Sequence, residues 1–242
     1  LVYDLEQVRS YYRDLLSEKR SDYFERFDHF MLDSRPLVRG LLEKAFQRLF
    51  PDRVGRLVDV GCGTCFYFPL LARHAEELVG VDICIPMLEQ AKELIAVKGL
   101  ANCSVRESSA LELPFEDRSV DVVHSWDFLH HVDDVKKAIA EIRRVLKPGG
   151  RYVAFEPNVL NPSIAWYHAR RKVEWGLFSQ NQFLIPRLLR EHFDVKVVYD
   201  NTIISFLGPR TKWIWSAANA LTKVPLLHFL RFRYTVDCRL RG

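Results

Sequence analysis

The residues best suited to chemistry follow an apolar run, where Leu57-Val58-Asp59-Val60 leads into Gly61-Cys62-Gly63-Thr64-Cys65. Glycines at the start of a helix let a ligand approach the backbone where first-turn N–H groups point outward without partners. Nineteen residues past Gly63, at the end of the next apolar run, Asp82 is placed to accept the hydrogens of both ribose hydroxyls. Together these features predict a nucleoside cofactor. A dinucleotide site requires G-x-G-x-x-G, and the large Phe66 fills the place of the third glycine; a P-loop requires Gly-Lys-Ser/Thr, which does not follow.

These residues need a scaffold, and the chain between Pro51 and Asn158 supplies its signature. Short β-branched runs at Arg56 to Val60, Leu78 to Val81, Cys103 to Val105, Val120 to His124 and Arg151 to Phe155 predict strands. Helical spacing at Phe66 to His74, Pro86 to Val97 and Asp133 to Leu146 falls between them, the last stopped by Lys147-Pro148-Gly149-Gly150. Regular alternation implies βαβ units and a parallel sheet covered on both faces. A helix at about Asn181 to His192, a strand at Asp194 to Tyr199 and an alternating tail from Phe232 to Leu240 complete a seven-stranded, mostly parallel, doubly wound α/β fold. Residues 1–50 read as a helical lid, 51–157 as the cofactor-binding core, and 158–242 as a substrate cap with the last two strands of the same domain. Within that cap a helix is expected at Thr211 to Lys223, apolar around Trp213, Ile214 and Trp215. Its breadth suits a wall for an apolar substrate, a packed interior helix, or membrane contact through 211–232.

The ordered motifs resemble the class I S-adenosylmethionine-dependent methyltransferases, in particular the small-molecule group that includes quinone and sterol methyltransferases. The resemblance covers about residues 55–157. It runs through Asp59-Val-Gly61-Cys62-Gly63, Gly80-Val-Asp82, Ala110-x-x-Leu113-Pro114-Phe115-x-Asp117 and Leu129-His130-His131-Val132, and closes with Lys147-Pro-Gly-Gly150 and Glu156-Pro-Asn158. It implies a Rossmann-like methyltransferase fold, S-adenosylmethionine as cofactor, S-adenosylhomocysteine as product and a methyl acceptor at O, C or N of a small molecule. It places Gly61 and Gly63 against the methionine part, Asp59 at the ammonium group, Asp82 at the ribose, and Ile83 and Met87 near the adenine. Ser109 and Ala110 would serve the adenine polar atoms, and Cys62 and Ser125 join the cofactor-binding positions. The family usually has Gly at Cys65 and Asp at Ser109, departures that would weaken cofactor binding by about 1 kcal/mol each.

On the same resemblance His130 and His131 stand where the methyl is transferred. Either is a candidate base, histidine being the natural proton acceptor near neutral pH, or a loop and packing residue. Glu156, at the mouth of the fifth strand, is a candidate substrate contact or a cap. Tyr23, His29, Arg35 and His168 read as structural or surface residues. Cys62-x-x-Cys65 has the spacing of a redox pair, but the cofactor motifs account for the loop. No second pair completes a zinc set, so no metal is expected.

The 242 residues, 48% hydrophobic and 27% charged, exclude disorder and fibrous repeats. The net charge of +4 conceals a division: residues 163–242 carry 13 Lys+Arg against 5 Asp+Glu, leaving 22 against 26 before them. The basic cap suits an apolar or anionic small acceptor. It also admits an RNA or tRNA methyltransferase, although its cations are interleaved with apolar residues and no RNA-binding module accompanies them. A catalytically silent cofactor-binding scaffold is the third reading. Five cysteines, no secretory leader pattern and no membrane-length apolar run lead to a cytoplasmic expectation.

Overall fold

The computed structural model describes residues 5–17, 28–170, 172–201, 216, 220 and 222–241. Among them, seven strands form one sheet: β1 (Val54–Val60), β2 (Ala75–Asp82), β3 (Cys103–Glu107), β4 (Val120–Trp126), β5 (Leu146–Pro157), β6 (Phe193–Asp200) and β7 (Arg233–Leu240). Their order is β3-β2-β1-β4-β5-β7-β6. The first five pair in parallel, and β7 runs antiparallel between β5 and β6. The doubly wound, mostly parallel sheet is therefore present. Because β1 pairs with both β2 and β4, the chain reverses its winding direction at β1, and the crevice beyond the strand ends opens there.

The strand alternation sends Leu57, Leu78, Val122 and Val153 into one core layer and Val58, Val79, Val123 and Ala154 into the other. The helices α1 (Leu5–Ser17), α2 (Pro36–Leu49), α3 (Ile85–Val97), α4 (Val135–Val145), α5 (Pro162–Ala169) and α6 (Leu184–Leu189) surround this sheet. On α4, Val135, Ala138, Ile139, Ile142 and Val145 make one buried stripe, and Asp134 caps its start by accepting from Lys137 N.

Three elements differ from the sequence expectation. The helix expected over Phe66 to His74 shrinks to Phe68–Leu71 plus a single 3₁₀ turn. The helix over Asn181 to His192 shortens to α6, six residues long. Lys147-Pro148-Gly149-Gly150 does end α4, but the chain is already in β5: Val120 pairs with Leu146 and Val122 with Arg151, so these four residues bulge out of the ladder. Most of the expected Thr211–Lys223 helix, including Trp213, Ile214 and Trp215, lies outside the described residues, as does Tyr23. No helix among the described residues is long and apolar enough to cross a membrane.

Candidate functional site

The loop after β1 is bound to β2, with Gly61 N and Cys62 N both donating to Val81 O. Gly61 has φ +71°, and a Cβ there would stand 2.1 Å from the Phe128 ring, so both backbone and space require glycine. Gly63 N donates to Asp82 Oδ2 at 2.8 Å, and Cys84 N donates to Asp82 Oδ1 at 2.9 Å. Asp82 is thus oriented by backbone N–H groups and keeps acceptor capacity for a ribose hydroxyl. Burial raises the Asp82 carboxyl above its ordinary range, opposed by the N–H groups of Cys84 and Gly63. Cys65, at the family's usual glycine, has φ +56° and carries the left-handed strain a glycine would avoid. Burial raises the Cys62 and Cys65 thiols, all five cysteines are free, and the pair lacks the thiolate character of a redox motif.

A pocket of about 170 Å³ opens beyond the ends of β1, β2 and β4. Ten of the expected site residues line it: Gly61, Cys62, Gly63, Asp82, Ile83, Met87, Ser109, Ala110, His130 and His131. The lining and the acceptor capacity of Asp82 fit a nucleoside-bearing cofactor. Ser109 Oγ already accepts from Leu111 N at 3.1 Å, leaving one acceptor position and the hydroxyl hydrogen.

Three expected residues, Asp59, Ser125 and Glu156, are not on the wall. Asp59 is fully buried beneath the glycine loop, on the side of the sheet where Leu57 points. There Oδ2 accepts from Tyr67 Oη at 2.8 Å and Oδ1 lies 2.5 Å from His124 Nδ1. Ser125 points to the opposite core layer and shares a hydrogen bond with Tyr152 Oη. Glu156 is also fully buried: Oε1 accepts from Phe128 N and Leu129 N at 3.2 and 2.8 Å, and Oε2 lies 2.6 Å from His130 Nδ1. It caps the turn after β4.

That turn delivers His130 and His131 to the wall, and the cap segment brings Glu174 to meet them. Glu174 Oε2 lies 3.4 Å from His130 Nε2, 3.6 Å from His131 Nε2 and 3.1 Å from His168 Nδ1 of α5. Burial alone would lower His130, but the carboxylates of Glu156 and Glu174 outweigh it and push the imidazole up to about 10. Burial and the neighbouring His130 push His131 down to about 4. Burial would raise Glu174, yet His131, His130 and His168 hold it well below the carboxylate range. The cluster thus holds charge and exchangeable protons at the pocket wall.

His168 and Glu174 both line this pocket, so the surface reading of His168 gives way to a place in the cluster. Glu174 gives no sequence signal, lying where regular patterning lapses. Arg233, also on the pocket wall, forms a bidentate pair with Asp127 and lies over the Trp126 ring, 4.6 Å from its centroid. His29 stands 3.3 Å from Glu93 on α3 and Arg35 precedes α2; neither lines the pocket. From α1, Arg9 reaches over the wall and donates to Ile83 O.

The family model described as a methyltransferase domain matches residues 58–154. The chain is 29% identical over 163 residues to the uncharacterized methyltransferase YcgJ of Bacillus subtilis, covering 61% of this chain and 64% of that one. It is 38% identical over 174 residues to the demethylmenaquinone methyltransferase of Staphylococcus aureus, covering 63% and 71% of the two chains. This chain therefore spans about two thirds of the length of these curated relatives. A solved S-adenosylmethionine-dependent methyltransferase from Aquifex aeolicus shares the fold with a TM-score of 0.59 at 16% identity, covering 98% of this chain and 99% of that one.

Proposed function

Because the chain belongs to the class I S-adenosylmethionine-dependent methyltransferases, we propose that it transfers a methyl group to a small molecule held against the His130, His131 and Glu174 cluster. One observation carries this reading: the cofactor wall at Gly61, Gly63 and Asp82 and the histidine cluster open into one pocket. When bound, the cofactor supplies an electrophilic methyl on a sulfonium.

Asp82 accepts from the ribose hydroxyls, Gly61 and Gly63 lie along the methionine part, and Ile83 and Met87 flank the adenine. The Ser109 hydroxyl and Ala110 N–H serve the adenine polar edge. In-line attack requires the acceptor atom roughly 3 Å from the methyl carbon, so fixing that geometry supplies much of the rate. Trp126, Tyr167 and Phe232 exclude water, and His168 or solvent takes up the proton the acceptor sheds. The apolar wall and the demethylmenaquinone methyltransferase relative support an acceptor with an apolar body, methylated at O, C or N. Five free cysteines suit a reducing compartment and support a cytoplasmic setting.

Incubation with cofactor labelled in its methyl group and a panel of apolar phenols, quinols and amines, followed by mass spectrometry, tests this reading. We expect the label in one acceptor class, with an equal amount of S-adenosylhomocysteine. No turnover with any class would leave a cofactor-binding scaffold.

A further inference from the structure

We propose that His130 Nε2, His131 Nε2 and Glu174 Oε2 bind a divalent transition-metal ion of the zinc type, with an open position facing the acceptor. One ring nitrogen of each histidine and a Glu174 carboxylate oxygen lie within 4.8 Å of one another, and they come from two segments, the turn after β4 and the cap. Two imidazoles and one carboxylate, with a fourth position left for a bound molecule, are the donor set of catalytic zinc.

The distances leave room for an ion between the donors. An N–H···O hydrogen bond spans about 2.7–3.2 Å, which the His168 contact to Glu174 satisfies at 3.1 Å. The His130 contact, at 3.4 Å, is a long hydrogen bond, and the His131 contact, at 3.6 Å, exceeds hydrogen-bond range. Ligand atoms roughly 2.0–2.1 Å from a tetrahedral zinc stand about 3.3 Å apart, close to both of these separations.

The supporting contacts have the same character. His130 Nδ1 is 2.6 Å from Glu156, which turns Nε2 toward Glu174 in the carboxylate–histidine arrangement that orients metal ligands. Glu156 is itself fixed by Phe128 N and Leu129 N. His168 holds the Glu174 oxygen from the other side.

The occupant of the open position rests on the methyl-transfer reading; the metal site does not. There an acceptor hydroxyl loses its proton to His168 or solvent and its oxygen bonds to the methyl carbon. The carbon–sulfur bond breaks and its electron pair stays on sulfur, giving the thioether product.

The test uses the purified full chain, stripped with a chelator and titrated calorimetrically with Zn²⁺ alone, with metal content checked by plasma mass spectrometry. One ion per chain is expected. His131→Ala and the volume-conserving Glu174→Gln should lose saturable binding, and Glu156→Gln should weaken it about 10–100-fold. Cobalt loading of the unmodified chain should give the visible bands of a four-coordinate nitrogen and oxygen site, a readout independent of any variant's folding. No binding by the unmodified chain, or undiminished binding in both ligand variants, overturns the proposal. S-adenosylhomocysteine affinity measured on the same samples separates the readings: cofactor binding without zinc binding removes only the metal site, and zinc binding without cofactor binding removes only methyl transfer.

Discussion

Gly176 lies so close to His130 that a Cβ on Gly176 would stand 1.9 Å from the His130 carbonyl oxygen. This approach seats the cap on the turn after β4 and brings Glu174, two residues earlier, beside both histidines. Gln180 Nε2 holds the same turn by donating to Val132 O at 2.7 Å.

Gly176→Ala should therefore displace Glu174 while leaving the cofactor wall intact. A displacement of about 1 Å can reduce turnover on the order of 100-fold. S-adenosylhomocysteine affinity should remain near its original value, and a parallel measurement of kcat and calorimetric binding checks the split.

Asp59 makes the opposite prediction. Its carboxylate holds buried Tyr67 and His124 beneath the loop, so Asp59→Ala should destabilise the fold by about 2 kcal/mol or more through orphaned polar groups. For a chain of this size that lowers Tm by roughly 4–8 °C. A ligand-contact role alone would lower affinity and leave the melting curve unchanged.

The β-branched runs made the sheet legible because strands buried on both faces are nearly continuous in Val and Leu, and Asp82 followed from its position at a strand end. Asp59 and Ser125 lie off the pocket wall for one physical reason: pleating sends alternate residues to opposite faces, and a sequence does not say which atoms below the loop need a polar partner. Glu156 faces inward for a similar reason, its acceptor capacity being filled by Phe128, Leu129 and His130. Glu174 left no mark at all, because only the tertiary approach of Gly176 to His130 brings it to the site.

Cofactor binding should depend on pH through Asp82. Its carboxyl is raised by burial, and it must be ionised to accept both ribose hydroxyls. Affinity should be full above that raised value and fall as pH drops through it, starting above the ordinary carboxylate range and approaching about tenfold per pH unit. Asp82→Asn should bind more weakly and lose this dependence, as calorimetry across an acid pH series would detect.

Ser109 has one acceptor position left after Leu111 N. Ser109→Asp should restore a charged acceptor for the adenine amino group and tighten S-adenosylhomocysteine binding by about 1 kcal/mol, roughly fivefold. An unchanged calorimetric Kd would show that the serine costs nothing.

A crystal structure with S-adenosylhomocysteine bound decides whether one pocket sets the cofactor's sulfur before the histidine cluster. The expected result is ribose hydroxyls on Asp82, adenine between Ile83 and Met87, and the sulfur directed toward His131 and Glu174. A nucleoside bound away from Asp82, or a sulfur turned from the cluster, would contradict it.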